Sequence, residues 1–89
     1  MSNNTILVVE DDAGLREALI DTLEMSGIAC VAAESAEQAM LLLKKDSFSL
    51  VVSDVQMGAM SGLDLLRSIN LNHPDLPVLM MTAYATIDD

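Results

Sequence analysis

The sequence predicts an α/β fold in which short apolar strands alternate with amphipathic helices in the order βαβαβαβ. Four short apolar runs are separated by three stretches whose apolar residues recur at helical spacing. Such alternation favours a parallel sheet with helices on both faces and right-handed crossovers. The chain has 89 residues, which is enough for one small domain and not for two.

The first strand and helix are predicted between residues 5 and 27. Residues 5–9 form an apolar, β-branched run that is typical of a strand buried on both faces. The helix begins at Ala13, and Gly27 suits its C-terminus, where a left-handed residue is often needed. Its predicted inner face comprises Leu15, Ala18, Leu19, Thr22 and Leu23.

The second strand is predicted at residues 28–33 and is weakened by its alanines. Cys30 lies within this run, so we expect it to be a buried small residue. Ser35 and Gln38 match the Ser-x-x-Gln capping box, which predicts a helix start. That helix is expected to end at residues 44–46. Its predicted inner face comprises Ala36, Ala39, Met40 and Leu43.

The third strand, at residues 48–53, leads into Asp54, and a loop follows. A third helix is predicted to start near Ser61, with Asp64 in its first turn, where a negative charge is favourable. Its predicted inner face comprises Leu63, Leu66 and Ile69. His73 is expected to be an exposed turn residue before the fourth strand, at residues 78–81.

Composition excludes several classes of protein. The net charge is −10 with only four Lys and Arg, which argues against a nucleic-acid or anionic-membrane surface. The same charge suits a cation or a basic partner, and equally suits plain solubility. No apolar run approaches the roughly 18 residues that span a bilayer, and residues 1–9 lack the basic region and long apolar stretch that are typical of a leader peptide. A single cysteine gives no internal disulfide, so a cytoplasmic location is expected.

Three of the four predicted strands end in residues whose side chains can bind a ligand or react. The first ends at Glu10, Asp11 and Asp12, the third at Asp54 and the fourth at Thr82. Ligands of open parallel sheets bind outside the carboxyl ends of the strands, so these groups converge if the first and third strands are neighbours. Clustered carboxylates repel one another, and hard oxygen ligands select Mg²⁺. The structural alternatives are a helix cap, favoured for Asp12, and a β-branched strand end for Thr82.

An ionised aspartate beside Mg²⁺ can also act as a nucleophile and form an aspartyl phosphate. A hydroxyl and backbone N–H groups at the strand ends can hold the other phosphoryl oxygens. An aspartate-based phosphatase is disfavoured, because such enzymes place a second acid two residues after the nucleophile, where this chain has Gln56. No P-loop or dinucleotide-binding motif occurs.

Three motifs resemble the receiver domain of two-component response regulators: ILVVEDD followed by Arg16, then VVSDVQM with a later SG, then PVLMMTAYA. The run MTAYATIDD is similar to the nitrogen-regulatory (NtrC-like) class and to flagellar (FleR-like) regulators of that class. The resemblance implies a flavodoxin-like, doubly wound parallel sheet with strand order 2-1-3-4. It also implies that residues 1–89 form a receiver domain that lacks the last helix, strand and helix of the family.

By this resemblance, Asp54 accepts a phosphoryl group from a sensor histidine kinase. Asp11, Asp54 and the backbone carbonyl of Gln56 would bind Mg²⁺ directly, and Glu10 would do so through water. Thr82 and the backbone N–H of Ala83 would contact the phosphoryl group. The chain departs from the family at two positions, with Glu10 where Asp is usual and Gly58 where Pro is common. The replacement of Pro is expected to loosen the loop that contains Gly58.

The resemblance further implies a signalling domain that catalyses only its own phosphotransfer and dephosphorylation, followed in the parent protein by ATPase and DNA-binding output domains. The catalytic Lys of the family's fifth strand is absent from this chain. The fourth strand would then be an exposed apolar edge, so we expect low stability, a homodimer or strand swapping, or a longer parent. The alternative function is a phosphorylation-independent interaction or dimerisation module with the same fold.

Overall fold

The computed structural model describes residues 4–55 and 61–81, and it has the predicted order of four strands and three helices. The strands are β1 (Ile6–Val9), β2 (Cys30–Ala33), β3 (Leu50–Asp54) and β4 (Val78–Met81), and the helices are α1 (Ala13–Met25), α2 (Ala36–Lys45) and α3 (Gly62–Asn72). Strand β2 starts later than predicted because the backbone N–H of Ile28 still donates to Leu23 at the end of α1. Strand β3 includes Asp54 itself.

The four strands form one parallel sheet in the order β2-β1-β3-β4, which confirms the strand order implied by the resemblance. Val9, the last residue of β1, pairs with Ala33 on one side and with Ser53 on the other. The next residues of the two central strands, Glu10 and Asp54, therefore lie side by side just beyond the β1–β3 pairing, and Asp54 is still paired with Met81 of β4. This register places both carboxylates at the carboxyl edge of the sheet.

The main core lies between one face of the sheet and two helices. Leu7, Val9 and Val51 point to this face, and residues of α2 and α3 cover them. The buried members from the rest of the chain are Ala33, Ala36, Ala39, Leu43, Leu65 and Ile69. Val8 points to the opposite face, where α1 contacts β1 and β2. Each fully buried Val, Leu or Ile side chain of this core stabilises the fold by about 1.5–3 kcal/mol.

All three helices begin at a side-chain cap. The carboxylate of Asp12 accepts a hydrogen bond from the backbone N–H of Leu15 at 3.0 Å, as expected for a helix cap. The hydroxyls of Ser35 and Ser61 accept from the N–H groups of the third residues after them, both at 3.1 Å. Helix α1 ends before Gly27, whose φ of 81° lies in the left-handed region, as the sequence predicted.

The inner face of α3 differs from the prediction. Leu63 was expected to point inward, but 53% of it is exposed, whereas Gly62, Leu65 and Ile69 are buried. Leu66 is only half-buried. The close approach of Gly62 to the end of β3 fixes the rotation of the helix and brings the residues three and seven positions later onto the sheet.

The inner face predicted for α1 is wrong at two positions. Ala18 and Thr22 are exposed, and Leu15, Leu19 and Leu23 are only half-buried. The inner face predicted for α2 is confirmed, with Met40 half-buried.

Cys30 was expected to be buried, but it is half-buried. His73 was expected to be exposed, but it is also half-buried. Cys30 lies on β2, an edge strand of the sheet, where the neighbouring Val31 is 37% exposed. His73 ends α3, and its backbone N–H donates to the carbonyl of Ile69 at 2.6 Å. Within residues 4–55 and 61–81, no helix combines the length and the apolar character that a membrane crossing needs.

Candidate functional site: an acidic cluster at the carboxyl edge of the sheet

The site begins where β1 and β3 end. The backbone N–H of Glu10 donates to the carbonyl of Ala33 at 3.0 Å, so the residue is still tied to the end of β2. Asp54 closes β3, and the N–H of the next residue, Val55, donates to the carbonyl of Met81 on β4 at 2.9 Å. Hydrogen bonds to neighbouring strands therefore hold the backbone on both sides of the site.

Three carboxylates meet at this edge. One oxygen each of Glu10, Asp11 and Asp54 lies within 4.8 Å of the other two. Glu10 and Asp54 are 1% and 7% exposed, whereas Asp11 is exposed to solvent. Since β1 and β3 are neighbours, the carboxylates at the ends of the first and third strands converge as expected for that strand order, apart from Asp12, which caps α1.

Glu10 is the most unusual member of the cluster. Its Oε2 accepts a hydrogen bond from the backbone N–H of Asp12 at 3.1 Å, but its buried Oε1 has no hydrogen-bond partner within the described part of the chain. Burial raises the pKa of Glu10 from 4.5 to about 7, and the charge of Asp54 adds to the increase. A buried carboxylate oxygen without a partner is destabilising unless another group satisfies it.

A divalent cation fits this arrangement. Two like charges about 4 Å apart repel by about 4 kcal/mol at an effective dielectric constant near 20. A cation between the carboxylates relieves that repulsion, and water bound to the cation would supply a partner for the Oε1 atom of Glu10. The donors are all hard oxygen atoms, which suit Mg²⁺ or Ca²⁺ rather than a soft metal.

The backbone of Asp54 is held by two contacts that could not be inferred from the sequence. The hydroxyl of the buried Ser53 donates to the carbonyl of Asp54 at 3.0 Å. A Cβ atom added to Gly62 would lie 2.0 Å from the same carbonyl oxygen, so only glycine permits α3 to start there. The sequence shows a glycine shortly after the loop, but it does not show how closely that glycine approaches Asp54.

No role was predicted for Arg16 from the sequence, although it belongs to the first motif. Its Nη1 donates a hydrogen bond to the backbone carbonyl of Glu10 at 2.9 Å. A cationic side chain of α1 therefore contacts the segment that carries two of the three clustered carboxylates.

Four residues singled out from the sequence lie outside the described residues: Gln56, Gly58, Thr82 and Ala83. The expected metal contact of the Gln56 carbonyl and the phosphoryl contacts of Thr82 and Ala83 stay predictions.

The doubly wound parallel sheet with acidic residues at its carboxyl edge defines a class of α/β domain that binds its ligand where the strand order reverses. Within that class, the chain belongs to the response regulator receiver domain family, which it matches over residues 6–89. This match confirms the resemblance seen in the motifs.

Relatives with curated names are regulators of the NtrC class. The chain is 53% identical over 83 residues to the response regulator protein FleR of Pseudomonas aeruginosa. The aligned region covers 93% of this chain and 18% of FleR. It is 34% identical over 88 residues to the DNA-binding transcriptional regulator NtrC of Salmonella typhimurium, covering 99% of this chain and 19% of NtrC. The chain thus spans about a fifth of the length of these relatives.

Solved structures show the same fold. A response regulator receiver protein from Pseudomonas putida superposes with a TM-score of 0.86 at 37% identity, over 92% of this chain and 69% of that one. The response regulator TrrA of Thermotoga maritima, solved in complex with Mg(2+)-BeF, gives a TM-score of 0.88 at 32% identity, over 92% of this chain and 71% of that one.

Proposed function

We propose that this domain accepts a phosphoryl group on Asp54 from the phosphohistidine of a sensor histidine kinase, in a Mg²⁺-dependent reaction. In the parent protein, phosphorylation would switch ATPase and DNA-binding output domains that regulate transcription. The phosphoryl transfer would take place in the cytoplasm. The observation that carries the proposal is the cluster of Glu10, Asp11 and Asp54 within 4.8 Å. Membership of the receiver family and relatives named as transcriptional regulators support it.

The cluster of Glu10, Asp11 and Asp54 suits the metal that this reaction needs. Asp11, Asp54 and the carbonyl of Gln56 would hold Mg²⁺ directly, and Glu10 would hold it through water. The bound ion would supply positive charge to the phosphoryl oxygens. The unpartnered, buried Oε1 of Glu10 supports this assignment, because a metal-bound water would donate a hydrogen bond to it.

The chemical step belongs to the carboxylate of Asp54. One of its oxygens forms a bond to phosphorus while the phosphorus–nitrogen bond of the phosphohistidine breaks, and the electron pair of that bond returns to the imidazole nitrogen. The hydrogen bond from Ser53 and the contact with Gly62 hold the backbone of Asp54 during the step. Thr82 and the N–H of Ala83 would bind phosphoryl oxygens.

Incubation with acetyl phosphate and Mg²⁺, followed by intact-protein mass spectrometry, tests the proposal. We expect a mass gain of one phosphate that is lost in Asp54→Asn and in excess EDTA. Asp21→Asn is the matched control, because Asp21 is an exposed residue of α1 and its loss should leave the modification unchanged.

A mass gain that persists in Asp54→Asn would contradict the proposed acceptor. The absence of any gain, both in this chain and in a version extended by the rest of the family's domain, would favour the phosphorylation-independent interaction module instead.

A further inference from the structure

We propose that Arg16 is a positioning residue for the acidic cluster. Its hydrogen bond to the carbonyl of Glu10 fixes the turn between β1 and α1, and this turn presents Glu10 and Asp11 to the cation. The inference rests on the proposed function, because the cation is the Mg²⁺ of that function.

The turn needs this contact because the ladder of the sheet has ended. The pairing of β1 with both neighbours stops at Val9, and the N–H of Glu10 makes one more bond, to Ala33. The carbonyl of Glu10 belongs to a residue that is only 1% exposed, and Arg16 donates to it at 2.9 Å. Buried backbone carbonyls without a donor are rare and destabilising, so this bond maintains the conformation of the residue.

The bond from Arg16 is part of a short chain of contacts around Asp11. On one side, Arg16 holds the carbonyl of Glu10. On the other side, the N–H of Asp12 donates to Oε2 of Glu10, and the carboxylate of Asp12 caps α1 through the N–H of Leu15. Asp11 lies between these fixed residues, so a rotation of the peptide after Glu10 would move its carboxylate away from Asp54.

Arg16 is suited to this task by reach and by charge. It lies six residues after Glu10, on α1, and its long side chain returns to the end of β1. The cationic guanidinium offers several N–H donors in a rigid plane.

Because Arg16 is positively charged, the sign of the change in Mg²⁺ affinity on its removal distinguishes an electrostatic role from a positioning role. If Arg16 acted only as a positive charge near three carboxylates, its removal would strengthen the binding of Mg²⁺. If it positions Glu10 and Asp11, its removal weakens that binding. The two roles therefore predict changes of opposite sign in the same dissociation constant.

The experiment is a Mg²⁺ titration of the 89-residue chain at constant ionic strength, followed by two-dimensional NMR of the backbone amides. We expect Arg16→Met to raise the Kd for Mg²⁺ about tenfold, the lower end of the loss seen when residues that orient metal ligands are removed. Arg67→Met is the matched control. The side chain of Arg67 is 82% exposed on α3, and its ion pair with Asp64 spans 3.9 Å.

Two more variants complete the design. Arg16→Lys keeps the charge and a donor, and we expect it to bind Mg²⁺ more tightly than Arg16→Met. If Arg16→Met does not give a folded NMR spectrum, Arg16→Gln replaces it and Arg67→Gln becomes the control.

A Kd that is unchanged or lower in the Arg16 variant, relative to the Arg67 control, would overturn the positioning role. A purely structural role would also overturn it, and would appear as a lower free energy of unfolding in EDTA with an unchanged Kd. If the unmodified chain does not bind Mg²⁺, the proposed function and this inference both fail. If it binds Mg²⁺ and Arg16→Met binds equally well, only the inference fails.

Discussion

At the scale of single residues, Gly62 brings the start of α3 into close contact with Asp54, the candidate phosphoacceptor. A Cβ at this position would lie 2.0 Å from the carbonyl oxygen of Asp54 and 2.9 Å from Cε of Met80. Since real Cβ atoms do not approach backbone that closely, Gly62→Ala must push α3 away from β3. We expect a loss of about 1–3 kcal/mol in the free energy of unfolding, as for other overpacked sites, measured by urea denaturation.

Gly14→Ala is the control for this prediction. Gly14 also occupies the start of a helix, but its added Cβ would lie 3.5 Å from the Asp12 carboxylate, which is ordinary contact. There the substitution should be neutral or should stabilise by up to about 1 kcal/mol, because alanine favours the helix. Equal effects of the two substitutions would show that the close approach of Gly62 does not restrict the site.

The protonation of Glu10 predicts an unusual pH dependence. Burial and the charge of Asp54 raise its pKa from 4.5 to about 7, so between these values the folded chain binds more protons than the unfolded chain. Its contribution to stability is therefore complete below about pH 4.5 and is lost as the pH rises through 7. The difference in pKa corresponds to about 3 kcal/mol.

Urea denaturation of the chain and of Glu10→Gln in EDTA, between pH 5 and 8, would measure this effect. The difference between the two proteins isolates Glu10 from the other carboxylates. We expect the unmodified chain to lose stability relative to Glu10→Gln as the pH rises. A constant difference over this range would contradict the raised pKa.

At the scale of elements, the helix caps make predictions independent of the site. Ser35 caps α2 by accepting from Gln38, and the side chain of Gln38 returns to the N–H of Glu34 at 2.7 Å. We expect Ser35→Ala to lower the free energy of unfolding by about 1 kcal/mol, measured by thermal or urea denaturation. Ser26→Ala is the control, since the hydroxyl of Ser26 makes only a 3.3 Å bond at the exposed end of α1. Equal losses would show that the cap does not stabilise α2.

The elements also show what the sequence could predict. The caps at Asp12 and Ser35 and the left-handed Gly27 follow from local chemistry, and the sequence predicted all three. The rotation of α3 depends on a contact between Gly62 and Asp54, which a helical repeat of apolar residues does not contain. The pattern therefore placed Leu63 inside the protein, although it is exposed.

At the scale of the whole molecule, the site depends on the strand order. Glu10 and Asp54 are far apart in the sequence, and they meet only because β1 and β3 are neighbours in register. The residues alone predicted acidic strand ends but left the order open, and the resemblance to receivers supplied it. The burial of Glu10 could not be predicted, because the sequence does not show how the surrounding chain closes over an acidic turn.

The charge of the whole chain separates a specific metal effect from general screening. With a net charge of −10, the folded state repels itself, so NaCl should raise the melting temperature in EDTA by screening. Mg²⁺ at the same ionic strength should raise it further, because binding to the folded state adds about 2.7 kcal/mol when the free ion is at 100 times its Kd. This additional stabilisation requires the clustered carboxylates.

Asp11→Asn should remove the additional stabilisation by Mg²⁺, whereas Asp21→Asn, with the same change of net charge at an exposed position of α1, should keep it. Without metal, Asp11→Asn should be at least as stable as the unmodified chain, because it removes a negative charge from the cluster that contains Asp54. Thermal melts of the three proteins, at matched ionic strength with NaCl or MgCl₂, would measure both effects. If all three gained equally from Mg²⁺, the ion would be acting on the surface charge as a whole, and the carboxylates at the carboxyl edge of the sheet would not form a metal site.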